Sequence, residues 1–202
     1  MKTKIAEALL AIKAVSLNVN NPYTWASGLK APIYCDNRLT LGYPELRNLI
    51  TQGFVNVIKA DFPEVEVIIG TATAGIPHAT LVSDRLALPL GYVRKAKKAH
   101  GKENLIEGII VNKQKAIIIE DLISTGSSAL KCAEALKASG LDVLGVIAIF
   151  TYSLGSAAIN FARSNLKLST LTDYQTLISI ALSKKYIDET ELSKLKAWRE
   201  SN

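Results

Sequence analysis

An open, mostly parallel α/β sheet flanked by helices, with a small hood made by the N- and C-terminal segments, is the fold class that this 202-residue chain predicts. Two observations carry it. Ala116-Ile117-Ile118-Ile119 and Val143 to Phe150 are apolar runs rich in β-branched residues and free of polar alternation, as strands covered on both faces require. Between them Ala129, Leu130, Ala133 and Leu136 recur at helical spacing up to Gly140, so strand, helix and strand make one right-handed crossover. The length and the 49% hydrophobic content suit one sizeable core with an appended element, and are too small for two full domains. The expectation is a single domain over residues 1–202, its core about 41–150 and its hood mainly 1–40 plus part of 150–202.

Taken in order, Ile5, Ala8, Leu9, Ile12 and Val15 predict an amphipathic helix ending near Asn18 to Pro22. Tyr23 to Arg38, dense in turn formers and aromatics, reads as a loop and a short strand. Its Trp25 and Tyr34 suit either a planar ligand or a packed lid. Pro44 opens a helix running to about Asp61, and Val65 to Gly70 is a strand ending in the small-residue loop Thr71-Ala72-Thr73-Ala74-Gly75. Such a loop lets backbone approach an anion closely. A helix from about Pro77 to Leu86 follows, with His78 in a packing or capping role because nothing nearby orients it as a base. Leu90 to Val93 is a short strand; Glu107 to Val111 and Ala116 to Ile119 read as two strands joined by a polar hairpin-like turn. After Phe150 come a short helix around 157–162, a potential edge strand at 166–168, and helices near Tyr174–Leu182 and Asp188–Arg199, the last opened by a capping-box pattern of Asp188 and Glu191.

Composition narrows the function classes. The N-terminal pattern contains Glu7 and Lys13, so it lacks the apolar stretch of a signal peptide, and no run reaches the length of a membrane span. Cys35 and Cys132 lie far apart without metal-ligand spacing, which suits reduced thiols in a cytoplasmic setting and gives no support for zinc. The net charge of +6 is concentrated in one place. Without Arg94, Lys95, Lys97, Lys98 and Lys102, 19 Lys and Arg stand against 18 Asp and Glu. A local cationic loop points to a compact anion and not to nucleic acid.

The chemistry centres on Glu120-Asp121-Leu122-Ile123-Ser124-Thr125-Gly126-Ser127-Ser128, directly after the apolar strand. Unpaired charge is costly inside an apolar layer, so the two acids should emerge at the carboxyl edge of the sheet, where α/β folds bind ligands. The following hydroxyls, and the free N–H groups of a helix start near Gly126, favour a phosphate. A phosphorylated polyol fits both halves; a turn whose acids only solvate and cap is the plainer alternative. Walker and Rossmann glycine patterns are both missing here. The acid-free run from Arg94 to Lys102 would stay open in solvent, yet it could close over a bound anion.

The run from Glu120 to Ser128 resembles the phosphoribosyl-pyrophosphate (PRPP) signature of type I phosphoribosyltransferases. With Arg94-Lys95-Ala96-Lys97-Lys98-Ala99-His100-Gly101 and Ser27-Gly28-Leu29-Lys30-Ala31-Pro32-Ile33-Tyr34, the chain resembles the orotate phosphoribosyltransferases over nearly its full length. The resemblance implies a type I phosphoribosyltransferase-like sheet and transfer of ribose 5-phosphate from PRPP to orotate, giving orotidine 5′-monophosphate and pyrophosphate in pyrimidine biosynthesis. It implies PRPP contacts at Thr71, Ala72, Arg94, Lys95, Lys98, His100 and Glu120 to Ser128, with catalytic roles for Arg94, Lys98, His100, Glu120 and Asp121. Orotate falls to Ser124, Tyr34, Lys30 and Arg38. Mg²⁺ is expected through PRPP oxygens and water, without a dedicated protein cage. A homodimer is also implied, in which the flap 94–102 completes the partner's site. The chain departs from some family members where they carry lysine or arginine, having Ala26, Ala74 and Phe150-Thr151-Tyr152-Ser153 instead. Another PRPP-dependent base transferase, or a PRPP-sensing regulator, is the alternative.

Overall fold

The computed structural model describes residues 1–94, 105–109 and 111–202. Six strands form the main sheet: β5 Val67–Thr71, β6 Leu90–Val93, β7 Ile106–Glu107, β8 Lys115–Ile123, β9 Asp142–Thr151 and β10 Lys167–Asp173. Their order is β10-β9-β8-β5-β6-β7, parallel except for the antiparallel edge strand β7. Helix α3, Gly75–Leu86, connects β5 to β6, while α4, Ser127–Ala138, connects β8 to β9 in the opposite direction along the sheet. The order therefore reverses between β5 and β8. At such a point the two following loops diverge and leave a crevice outside the carboxyl ends of the strands.

The unbroken apolar character of β8 follows from this position. Ile117 and Ile119 pack in a cluster with α3 and the terminal helices, whereas Ala116 and Ile118 pack with α4 on the other face. Both faces are dry, so neither admits a polar alternate residue. Helix α1, Lys2–Ala11, α2, Pro44–Asp61, and α6, Tyr174–Ser183, cover the first face; α5, Gly155–Arg163, joins α4 on the second. The main sheet continues to β10, past residue 150.

A hood stands over the carboxyl edge. β1 Val15–Leu17 pairs antiparallel with β4 Ile33–Cys35, and β2 Tyr23–Thr24 with β3 Lys30–Ala31. Trp25 fastens this small structure to the C-terminal end of the chain. Its ring lies 4.4 Å from Tyr152 and 5.9 Å from Trp198, and its Nε1 donates to the Ile33 carbonyl. Trp198, on α7 Glu189–Glu200, donates in turn to the Lys30 carbonyl. Trp25 is thus packed as a lid, its rings and N–H both engaged.

Three expectations about elements need correction. The first helix stops at Ala11, because Lys13 takes a left-handed backbone and Val15 pairs with Cys35 as a strand. The segments 107–111 and 116–119 are not a hairpin, since β7 pairs with β6 while β5 and β6 separate it from β8. Gly108, at φ +107°, ends β7, and Ile109 is 86% exposed beyond it. Helix α3 begins at Gly75, ahead of Pro77. A Cβ on Gly75 would meet the Ile119 carbonyl oxygen at 2.5 Å, so only glycine lets this helix start against β8. The capping box of α7 is present as the sequence predicts.

Candidate active site

The site grows out of the end of β8. Glu120 follows Ile119 directly and remains only 6% exposed, so it does not emerge from the apolar layer as its charge predicts. Burial, and next the neighbouring Asp121 charge, raise its carboxyl far above the usual carboxylate range. Asp121 is raised too, chiefly by burial. The physical resolution is that the adjoining carboxyls hold a proton more tightly than free acids do. The Asp121 N–H donates to Glu120 Oε1 at 3.1 Å. Protonation removes the cost of burying two charges side by side.

Next to the acids lies the loop that starts α4. Gly126 takes φ +81° at the N-cap of α4 and has no side chain to cap the helix; the Ser127 N–H makes a long bond of 3.5 Å to Thr125 Oγ1. A Cβ on Gly126 would meet the Phe161 ring at 2.6 Å. From the same helix α5, Asn160 donates to the Thr125 carbonyl at 3.0 Å. Thr125 Oγ1 and Ser127 Oγ lie 2.9 Å apart. The loop is held by α5, and Ser127 and Ser128 line the cleft.

Two adjoining cavities of about 380 and 320 Å³ share Ala72 and Ser128. Thr71, Arg94, Ser127 and Lys131 line the first; Asp36, Arg38, Glu120, Asp121 and Leu122 line the second, together with Thr73 and Ala74. The Ala72–Thr73 peptide is cis. Arg94 Nη1 stands 3.7 Å from Glu107, and the Arg94 amide donates to the Leu105 carbonyl. The Arg38 guanidinium makes a fork with Asp36, Nε to Oδ1 at 2.6 Å and Nη2 to Oδ2 at 2.8 Å. That bond holds the Asp36 carboxyl below its ordinary value.

The structure therefore brings Thr71, Ala72, Arg94, Glu120, Asp121, Leu122, Ser127, Ser128 and Arg38 to one continuous cleft. Ser124 and Thr125 are half-buried in the connecting loop. Ile123 is buried in the core and its carbonyl accepts the Tyr152 N–H, so its side chain is turned away from any ligand. Tyr34 is 46% exposed on the outer face of β4, near Arg38. Lys30 is exposed on β3 and lines neither cavity. Lys95, Lys98 and His100 lie outside the described residues, as does the flap beyond Arg94 through Lys102. His78 is buried beside Phe54, its pKa lowered to about 4 by burial and then by Arg47, as fits a packing role.

Sequence reasoning passed over Asp36, Asn37 and Lys131. Lys131 was legible in principle, since it follows Ser127 by four residues and Ser128 by three on one helix face. Asp36 accepts the Arg38 N–H, a local side-chain turn that the polar triplet Asp36-Asn37-Arg38 signals. Among the described residues, no three or more His, Cys, Asp or Glu converge as a metal cage, and no helix is long and apolar enough to cross a membrane.

With this geometry in place, comparison with known proteins identifies the family. Residues 44–165 match the phosphoribosyl transferase domain. An orotate phosphoribosyltransferase of Halalkalibacterium halodurans is 55% identical, covering 100% of this chain and 96% of its own. The chain belongs to the orotate phosphoribosyltransferase family. It is accordingly a pentosyltransferase of pyrimidine biosynthesis. The same enzyme of Bacillus pumilus is 56% identical over 99% of this chain and 94% of its own. Among solved structures, orotate phosphoribosyltransferase from Aeropyrum pernix superposes with a TM-score of 0.78 at 26% identity, covering 91% of this chain and 99% of that one. The sheet and flanking helices are thus those of the type I phosphoribosyltransferases.

Proposed function

We propose that the two joined cavities bind PRPP and orotate and that Glu120, Asp121 and the loop to Ser128 perform the transfer of ribose 5-phosphate between them. One observation carries this reading: the buried Glu120 with the half-buried Asp121, and the N-terminus of α4, open onto the same cleft at the sheet's reversal point. The 5′-phosphate takes the N–H groups and hydroxyls at the start of α4, with Lys131 at the rim. Pyrophosphate lies along Thr71 to Ala74. The ribose sits over the acids.

In the reaction the anomeric C–O bond breaks, its electron pair leaves on pyrophosphate, and a bond forms from the anomeric carbon to a ring nitrogen of orotate, which gives up its proton. Positive charge builds on the ribose as the bond opens. Carboxylates beneath the sugar attract that charge most strongly when it is fully developed, so their stabilisation is greatest at the transition state. The cations Arg94, Lys95, Lys98 and His100 offset charge on the leaving group, with Lys98 as the proton-transfer candidate. Mg²⁺ fits a cleft that offers two carboxyls and hydroxyls but, among the described residues, no cage, and would be carried in on PRPP oxygens and water. When bound, it would neutralise the departing pyrophosphate.

For the acceptor, Arg38 is the cation that lines the acid-side cavity among the described residues. Asp36 uses its Nε and Nη2, leaving Nη1 for the carboxylate of orotate. Tyr34 and Ser124 flank the base, and Lys30 adds long-range charge. The working unit is a homodimer whose flap 94–102 crosses to the partner's site, in a cytoplasmic setting consistent with free thiols at Cys35 and Cys132.

Incubation with PRPP, Mg²⁺ and separately orotate, uracil, adenine and hypoxanthine should consume orotate alone. Consumption of a purine would reassign the acceptor cavity. Mixing inactive Lys98→Ala and Asp121→Asn chains under subunit exchange should restore activity, because one site of each mixed dimer carries neither change. Exchange verified by mass without recovery would place the flap in its own subunit's site.

A further inference from the structure

Past Ile119 the central strand loses a neighbour. β5 pairs with β8 only as far as Gly70 opposite Ile119, then turns away into the 72–74 loop. Alternate carbonyls along a strand point to the same side, so those of Ile119 and Asp121 face where β5 would have continued. Side chains take over there. Thr71 Oγ1 donates to the Ile119 carbonyl at 3.2 Å, and Asn37 Nδ2 donates to the Asp121 carbonyl at 2.6 Å.

Asn37 reaches this point from the hood, 84 residues upstream. It is 0% exposed, and its own carbonyl accepts the Thr40 hydroxyl at 2.6 Å, which fixes the turn that presents it. Its Oδ1 is buried with no hydrogen-bond partner among the described residues. An unmatched buried oxygen is unfavourable, and a small apolar residue would avoid it. What asparagine alone among similar-sized side chains supplies here is an always-present N–H donor under Asp121.

We propose that Asn37 is a positioning residue for the transfer reaction: its amide fixes the main chain of Asp121, and so aims the acid pair at the ribose. Because Arg38 is the next residue of the same turn, the donor bond also ties the acceptor side of the cleft to the ribose side. The inference rests on the assignment of Glu120 and Asp121 to the ribose.

The test compares Asn37→Ala and Asn37→Asp with the wild type, using PRPP, Mg²⁺ and orotate. Failure of the wild type to turn over would overturn the assignment of the site, and is separable from everything that follows. Asn37→Ala should lower kcat at least about tenfold while both KM values stay within about threefold, since the ligands' own contacts persist. Asn37→Asp keeps the shape and, while ionised, has no donor. Its kcat relative to wild type should rise as pH falls, when the introduced carboxyl takes up a proton and regains an O–H for the Asp121 carbonyl. The titratable and charged groups around the turn, Asp36, Arg38, Cys35, Glu120, Asp121 and Tyr152, occur in both proteins, so the ratio isolates position 37. Unchanged kcat in the folded variants, a loss confined to KM, or a ratio flat with pH would each overturn the proposal. If neither variant folds by circular dichroism, Asn37 is a structural residue and the proposal also falls.

Discussion

The two halves of the cleft are built on different principles. On the phosphate and ribose side, the ligand would meet the start of α4, a loop whose Thr125 carbonyl is held by Asn160 of α5, the buried Glu120 and the half-buried Asp121 at the end of the central strand. On the acceptor side it would meet an exposed arginine held by Asp36, and a tyrosine on the outer face of a three-residue strand. The first half is made rigid by the sheet and by glycines that no other residue can replace. The second depends on side chains that can be exchanged without disturbing the core. A fold arranged in this way can hold one phosphosugar site constant and vary the base that it accepts.

The largest effect should come from the rigid half. Asp121→Asn keeps size and removes the charge needed beneath the ribose, so kcat should fall about 100- to 1,000-fold, while circular dichroism and melting stay native. Near-normal turnover of a folded variant would break the contrast, because the acids would then be structural. Ser127→Ala removes one hydroxyl from the cradle. A hydrogen bond to a charged group contributes about 1.5–3 kcal/mol, so KM for PRPP should rise at least roughly tenfold. Steady-state kinetics at saturating orotate would show an unaltered KM if phosphate binds elsewhere.

The adaptable half should respond separately. Arg38→Ala is expected to raise KM for orotate about tenfold and to leave KM for PRPP within about twofold. Equal changes in both constants would mean that Arg38 supports the cleft as a whole.

The smallest expected effect concerns stability and pH. The Glu120 carboxyl is raised in the folded protein, so the unfolded chain releases that proton first as pH increases. Rising pH thus favours unfolding, and the stability associated with the protonated group is lost as pH passes through the folded value. Melting scans of the free protein between about pH 5 and pH 8 should show this decline, and Glu120→Gln should flatten it by roughly 2–4 °C for each kcal/mol removed. An equally steep decline in the variant would assign the effect to other groups.

The same division separates what could be read from the sequence. Local signals determined the central strand, the acid pair at its end, the glycine turn after it and α4, because a dry parallel strand, a glycine turn and a helix start each impose constraints on adjacent residues. The capping box of α7 was legible for the same reason. Tertiary structure alone decided that Val15 pairs with Cys35, that β7 joins the far edge of the sheet and that Trp25 packs against Trp198. It also decided that Glu120 stays buried, since whether a charge at a strand end reaches water depends on what covers that end. Asn37 shows the limit most clearly. Nothing within its own turn reveals that β5 stops short of Asp121, and only the meeting of segments 84 residues apart creates a carbonyl that needs its amide.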